Sequence, residues 1–574
     1  MANFSVAAVF SNQCVLQRNK NICIFGYGED GTKLSVILFD SKNQVLSKNS
    51  GKILGGRWEI QLEPQEAQTG CRLEIKNAAQ ADENSDSVSS SDSAPESDSN
   101  FQKIEFTDIA IGEVWLAGGQ SNMEFELQNC TEGPQALSQT KNPNVRFYYT
   151  NKIAWKDDHF YEAEKNTSWQ TWDSKWKTAW SAVGYFFAKK LAADLGCVVG
   201  VIGCNWGGTS ASAWMRKEYL QKDEDLKTYL TEQEEATKGK SIEEQCAEYE
   251  AYEKENEIWQ QKCNELYQTV PGITWAQVEE RLGKCKWPGP KSCKNPYRPT
   301  GLYDCMLSRI LPYTIKGVIW YQGESDDHKP TMYKKLFTSM IDNWRTDWHD
   351  NSLPFIFVQL PEHRYEYDKD FKHWCFIREA QMQVHQTVKN AWMTSALDLG
   401  QYNDIHPKAK KVLAERMEEN ALANVYKKAE PKDSLSPVLD DTLITDNKIV
   451  LSFENAASGF VVRDDQKGLE EYKSMEKKQN LEVPEDFTGF EIAGADGIYY
   501  PAEFAFGGTD GKLNTITLCS KKVKEPKFAR YAWYNYGPVT IFGKNGLPLS
   551  PFRTSPDDAA AATEHASIQQ IMTV

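Results

Sequence analysis

Between residues 21 and 77 apolar positions alternate with polar or small ones, as at Leu34, Val36 and Leu38 and again at Cys71, Leu73 and Ile75. A period of two puts one set of side chains on one face of a pleated strand. Short strands are therefore expected here, with Gly28-Glu29-Asp30-Gly31 as a tight turn and a small β-sandwich as the economical arrangement. Residues 81–100 are almost wholly Ser, Asp and Glu. They offer too little apolar surface to offset the entropy of ordering, so a mobile, disordered acidic loop is expected.

Beyond residue 109 the pattern changes. Continuous apolar runs at 111–117, 198–203, 316–321, 355–360 and 391–397 alternate with helical periodicity at 182–195, 333–344 and 408–421. Strands that are apolar throughout need cover on both faces, which predicts a parallel α/β sheet wrapped by helices. Ligands in such sheets sit beyond the carboxyl ends of the strands. An insertion over 217–298 carries a capping box, Ser241 with Glu244, ahead of apolar residues at near-helical spacing. It predicts an acidic helical hairpin packed on the main domain, or a hood that shapes a cleft. After Glu430 strand patterns return. The expected division is an N-terminal β-sandwich over 1–108, a main domain over 109–425 and a β-rich C-terminal domain over 426–574.

Composition narrows the function classes. A chain of 574 residues exceeds one core, and its 40% apolar and 12% aromatic content can fill several. No run of about 18 apolar residues occurs, so no membrane-spanning helix is expected. A net charge of -16 without a Lys/Arg cluster argues against a general nucleic-acid binder, because a phosphate backbone must be neutralised. Thirteen cysteines lack the CxxC or Cys/His spacing of a zinc site, so no metal site is expected. They read as mostly reduced thiols, with Cys285 and Cys293 flanking a Pro-rich loop at a spacing that allows a pair. Residues 1–5 show no basic-then-apolar leader pattern. A cytoplasmic address, or a secreted or periplasmic one after removal of a leader, both stay open.

Four segments carry candidate chemistry. In the first, a buried strand runs into Gly118-Gly119-Gln120-Ser121-Asn122, placing a serine hydroxyl on a strand-to-helix turn with N–H groups free to receive an oxyanion. The same position also suits a helix N-cap serine. Next, Asn205-Trp206-Gly207-Gly208-Thr209-Ser210 leaves another strand through glycines, which allow close approach of backbone to ligand or serve an ordinary turn. The third, Trp320-Tyr321-Gln322-Gly323-Glu324-Ser325, delivers an amide donor, Gln322, and a carboxylate, Glu324, that either holds a loop or touches substrate. In the fourth, Asp398 to Pro407, His406 follows the last strand and precedes a helix with carboxylates nearby. Histidine is the expected base for a serine, because its ordinary pKa near 6.5 permits proton uptake and return at neutral pH. His328, His349 and His363 stand among charges and read as surface.

In order and spacing these segments resemble the SGNH hydrolases, and in detail the sialate O-acetylesterase-like branch of carbohydrate acetylesterases. The likeness extends to Val15-Leu16-Gln17-Arg18 and Tyr531-Ala532-Trp533-Tyr534-Asn535-Tyr536, and so covers nearly the whole chain. It implies an SGNH (flavodoxin-like) α/β parallel-sheet hydrolase domain with a helical insertion, flanked by β-sandwich-like N- and C-terminal regions. It further implies Ser121 as nucleophile and His406 as base. The oxyanion hole would come from the N–H of Ser121, an N–H of Gly207 or Gly208, and the Gln322 side chain; Asn122 and Glu324 would stand in support. No metal or organic cofactor is required, and the partner is an acetylated sugar or glycan. The family usually places an orienting Asp three residues before the histidine, where this chain has Asn403; Asp404 lies two before. Asp404, Asp398 and a backbone carbonyl therefore remain open as the third member. Acetylated xylan or another plant polysaccharide is the alternative substrate to sialic acid. A non-catalytic carbohydrate-binding protein, its 18 tryptophans stacking on sugars, is the alternative from another class.

Overall fold

The computed structural model describes residues 4–77, 101–139, 144–270, 273, 275–365, 370, 372–478, 483–485, 487–507 and 512–556. The expected acidic loop over 81–100 lies outside them. One long strand, Lys103–Gly119, organises the molecule. Its carboxyl half lies between Val199–Asn205 and Gly317–Tyr321, both parallel to it. Val145–Tyr149 extends this parallel sheet on one side, and Phe355–Gln359 followed by Ala391–Ser395 on the other. Every residue of Val199–Asn205, Gly317–Tyr321 and Phe355–Gln359 is buried, which is what their unbroken apolar runs require.

Helices Ala182–Leu195, His373–Thr387 and Lys410–Asn424 pack against these strands, and Tyr333–Asp347 against His373–Thr387. Local signals set their ends. The Ser181 hydroxyl accepts the N–H of Gly184 at 3.0 Å, and Gly196 closes the same helix in the left-handed conformation at φ 65°.

The amino half of Lys103–Gly119 runs antiparallel to Gln68–Asn77, which leads to Lys33–Phe39 and Val45–Lys52. The expected N-terminal strands thus form, but most belong to one ten-stranded mixed sheet with the parallel strands. A separate three-stranded sheet holds Phe4–Val6, Ile22–Gly28 and Arg57–Leu62. Residue 108, the expected boundary, falls inside the long strand. Side chains reinforce the junction: the buried Glu113 carboxylate accepts from Arg18 Nε at 2.7 Å and Gln17 Nε2 at 2.9 Å.

Beyond residue 430, two four-stranded antiparallel sheets surround their own core, which includes Leu451, Phe490, Ile516 and Tyr531. The insertion is helical, with Lys217–Gln221, Glu224–Ala236, Ile242–Thr269 and Trp275–Leu282. Ser241 and Glu244 cap Ile242–Thr269 reciprocally. That helix turns Cys246 toward the following loop, where its Sγ stands 3.5 Å from Cys293 Sγ. Cys246, and not Cys285, is therefore the thiol beside Cys293.

Candidate active site

Gly119 ends the long strand at φ 136°, and a Cβ there would lie 2.1 Å from the Tyr321 carbonyl oxygen. Glycine alone lets the chain press against the neighbouring strand and turn at once into the short helix Ser121–Glu124. The turn is locked by the Gln120 N–H donating to Tyr321 O at 3.1 Å and by Gln120 Oε1 accepting the Ser325 N–H at 3.1 Å. At the start of a helix the first N–H groups have no intrahelical acceptor, which leaves those of Ser121 and Asn122 available.

The Ser121 hydroxyl lies 2.9 Å from His406 Nε2, although the two residues are 285 positions apart. Burial and the nearby Lys410 charge push the His406 pKa below its ordinary value, while Asp404 and Glu124 oppose that shift. The imidazole is thus neutral near pH 7 and can accept the serine proton. Asp404 Oδ1 accepts the backbone N–H of His406 at 2.9 Å, so it anchors the loop and not the ring. Among the described residues none hydrogen-bonds to Nδ1 of His406. Asp398 is engaged elsewhere: both its oxygens are taken by Arg416, at 2.7 and 2.8 Å.

Gly207 comes close to the serine, where a Cβ would stand 3.2 Å from Ser121 Cβ. Its N–H, an expected oxyanion donor, points to Glu124 Oε2 at 2.8 Å, and the other oxygen of that carboxylate pairs with Lys152. Gly208 adopts φ 75° beneath Trp287 and Tyr297 of the insertion's last loop. Asp326 then straps this loop down, accepting from Ser210 Oγ at 2.6 Å and the Ala211 N–H at 2.9 Å.

Gln322 departs from expectation. It is fully buried, and its NH2 donates to Thr209 O at 3.1 Å and Asp326 Oδ2 at 2.7 Å while Tyr333 donates to its oxygen at 2.9 Å. Both donor hydrogens are committed to holding the glycine loop, so Gln322 is a brace and not a free oxyanion donor. Glu324 and Asn122 do come together: Asn122 Nδ2 donates to Glu324 Oε1 at 2.7 Å and to Ile405 O at 3.0 Å.

The family described as carbohydrate esterase, sialic acid-specific acetylesterase, matches residues 111–280 and 286–423, more than half of the sequence. The chain belongs to this family. The esterase is 24% identical over 457 residues to the sialate O-acetylesterase of Mus musculus, covering 74% of each chain. It is equally 24% identical over 457 residues to that of Homo sapiens, covering 74% of this chain and 71% of the other. A solved carbohydrate acetylesterase from Xanthomonas citri has the same fold, with a TM-score of 0.68 at 23% identity over 96% of this chain and 100% of that one.

Two residues of the esterase's site escaped the sequence reading. Glu124 sits in the same helical turn as Ser121, and a carboxylate three positions after the serine was the available signal. Lys410 is fully buried and donates to Asn122 Oδ1 at 2.5 Å; its spacing of four from His406 means something only once the loop is folded. His363 is a further correction. It is buried, not on the surface, packed against the Tyr365 and Trp374 rings, and burial pushes its pKa down to about 3.

Proposed function

We propose that this carbohydrate esterase removes O-acetyl groups from sugars by two-step acyl transfer, with Ser121 as nucleophile and His406 as general base. The observation that carries this reading is the 2.9 Å contact between Ser121 Oγ and His406 Nε2 at the carboxyl ends of the parallel strands. An SGNH-type hydrolase domain over 109–425, with the insertion 217–298 and flanking β-rich regions over 1–108 and 426–574, fits the strand order. Leaving out the edge strand Val145–Tyr149, that order is 2-1-3-4-5, the flavodoxin-like arrangement.

His406 Nε2 takes the Ser121 proton as the oxygen attacks the acetyl carbonyl carbon, and the carbonyl π electrons move to its oxygen. The N–H of Ser121 receives that charge, joined by the Gly207 N–H once Glu124 swings away toward Lys152. Collapse breaks the ester C–O bond. The sugar oxygen leaves with the proton from His406, and the acetyl group stays on Ser121. Water then repeats the attack, with His406 again the base, and acetate departs.

Similarity to sialate O-acetylesterases makes O-acetylated sialic acids the first substrates to test, with acetylated xylo-oligosaccharides as the alternative. Acetate release across both sets is the experiment. Ser121→Ala is expected to lower turnover by about a thousandfold or more while leaving the circular dichroism spectrum unchanged. Retained turnover would overturn the assignment, and glycan binding without acetate release would favour a binding protein instead.

A further inference from the structure

Behind the Ser121–His406 pair lie three buried groups for which the acyl-transfer steps have no use. Lys410 opens the helix Lys410–Asn424 and is 1% exposed. Its Nζ donates to Asn122 Oδ1 at 2.5 Å and stands 4.9 Å and 5.2 Å from the centres of the Phe125 and Tyr321 rings. Asn122 spends its NH2 on Glu324 Oε1 and on the carbonyl of Ile405, the residue before His406. Glu324 Oε2 is buried without a hydrogen-bond partner among the described residues.

Ammonium, carboxamide and carboxylate therefore form one line. Buried charges are costly unless well held, and a carboxamide between two of them has one favourable orientation, oxygen toward the cation and NH2 toward the anion. Turned the other way, it would set its NH2 against the ammonium. The remaining amide hydrogen then fixes the Ile405 carbonyl, and with it the loop that presents His406 to Ser121.

We propose that Lys410 is a positioning residue of this esterase: through Asn122 and the Ile405 carbonyl it holds the loop that presents His406 to Ser121. The proposal rests on the Ser121–His406 reading given above. The charged and titratable groups facing His406 are Lys410 from the helix start, Asp404 from its own loop and Glu124 from the Ser121 helix, with the neutral His363 from the loop after Phe355–Gln359. Those facing Lys410 are Glu324, Asp404 and the Cys130 thiol. Burial pushes Lys410 down to about 7, and burial together with the Lys410 charge holds His406 below its ordinary value. Removing Lys410 removes a positive charge, raises the His406 pKa, and causes activity to be lost at a higher pH.

The test is kcat and KM against pH on p-nitrophenyl acetate for the wild type, Lys410→Met and Lys410→Met/Glu324→Gln. Folding is checked by circular dichroism, and fluorophosphonate labelling is mapped by peptide mass spectrometry. The double variant loses one charge of each sign, so its acid limb is expected to stay near that of the wild type, and it is read on kcat should the single variant not fold. In Lys410→Met the acid limb is expected to rise by about one pH unit, the order of shift that one neighbouring like charge produces. The loosened loop is expected to lower kcat about tenfold or more with KM nearly unchanged. Labelling at Ser121 with an unmoved acid limb in folded Lys410→Met, or with wild-type kcat in the double variant, overturns the role of Lys410 alone. A wild-type chain labelled elsewhere overturns the Ser121 reading itself.

Discussion

Asp404 and Gln322 show how far a residue's type predicts its work. Each has the chemistry expected of it, a carboxylate beside a histidine and an amide near a serine, but geometry assigns Asp404 to a backbone N–H and Gln322 to bracing Thr209 and Asp326. Asp404 reaches the His406 ring only through its charge, which favours the imidazolium. Asp404→Asn preserves an oxygen to accept the His406 N–H and removes that charge. The His406 pKa should therefore fall further, moving the acid limb of kcat/KM to lower pH, with kcat at pH 8 reduced by about tenfold or less. A pH–rate profile checks both. A loss near 10⁴-fold would instead mark a carboxylate that orients the imidazole directly, the size of effect seen when a triad Asp becomes Asn.

Among elements, the legible ones were those whose burial is uniform. Val199–Asn205 and Phe355–Gln359 are apolar from end to end because both faces are covered, and Ala182–Leu195 is bracketed by a capping serine and a closing glycine. Pairing was not legible. The alternation in residues 103–112 is the same whether the neighbour is antiparallel Gln68–Asn77 or a separate sandwich, so the joined sheet had no signature in the side chains. Nor could spacing bring Trp287 and Tyr297 of the insertion over Gly208, a contact made only by the folded loop. That contact makes Gly208→Ala informative. A left-handed non-glycine residue costs about 1–2 kcal/mol, and its Cβ would meet Trp287 Cζ2 at 2.8 Å. Urea unfolding should show that loss, and kcat/KM should fall as the loop shifts beside Ser121. Adding Trp287→Ala should restore part of the activity and none of the backbone strain. Wild-type stability and kinetics in Gly208→Ala alone would show that the insertion's loop yields freely.

At the scale of the whole molecule, the C-terminal region is tied to the middle of the chain. Arg378 is fully buried, and its guanidinium donates to the carbonyls of Leu360 at 3.2 Å, Pro361 at 2.8 Å, Tyr534 at 2.9 Å and Asn535 at 2.8 Å. The Asn535 carbonyl also accepts the His363 N–H at 2.8 Å, and Arg364 O accepts the Asn403 N–H at 3.1 Å. A path of backbone hydrogen bonds thus leads from the Tyr531–Tyr536 motif through residues 360–364 to the loop that carries His406. This explains why a C-terminal motif accompanies a site more than a hundred residues away. Arg378→Met keeps most of the packing volume but strands carbonyls in a dry interface, and each buried unsatisfied group costs roughly 1–3 kcal/mol. The total loss should be about 3 kcal/mol or more, because removing a buried, fully bonded charge leaves its partners uncompensated. Hydrogen exchange distinguishes where that loss falls. Protection should drop first in 528–543 and 360–364, with Val199–Asn205 exchanging as in the wild type, since that strand is held by the parallel sheet on both sides. Uniformly faster exchange, Val199–Asn205 included, would mean that Arg378 supports the common core and that the C-terminal region has no separate hold on the His406 loop.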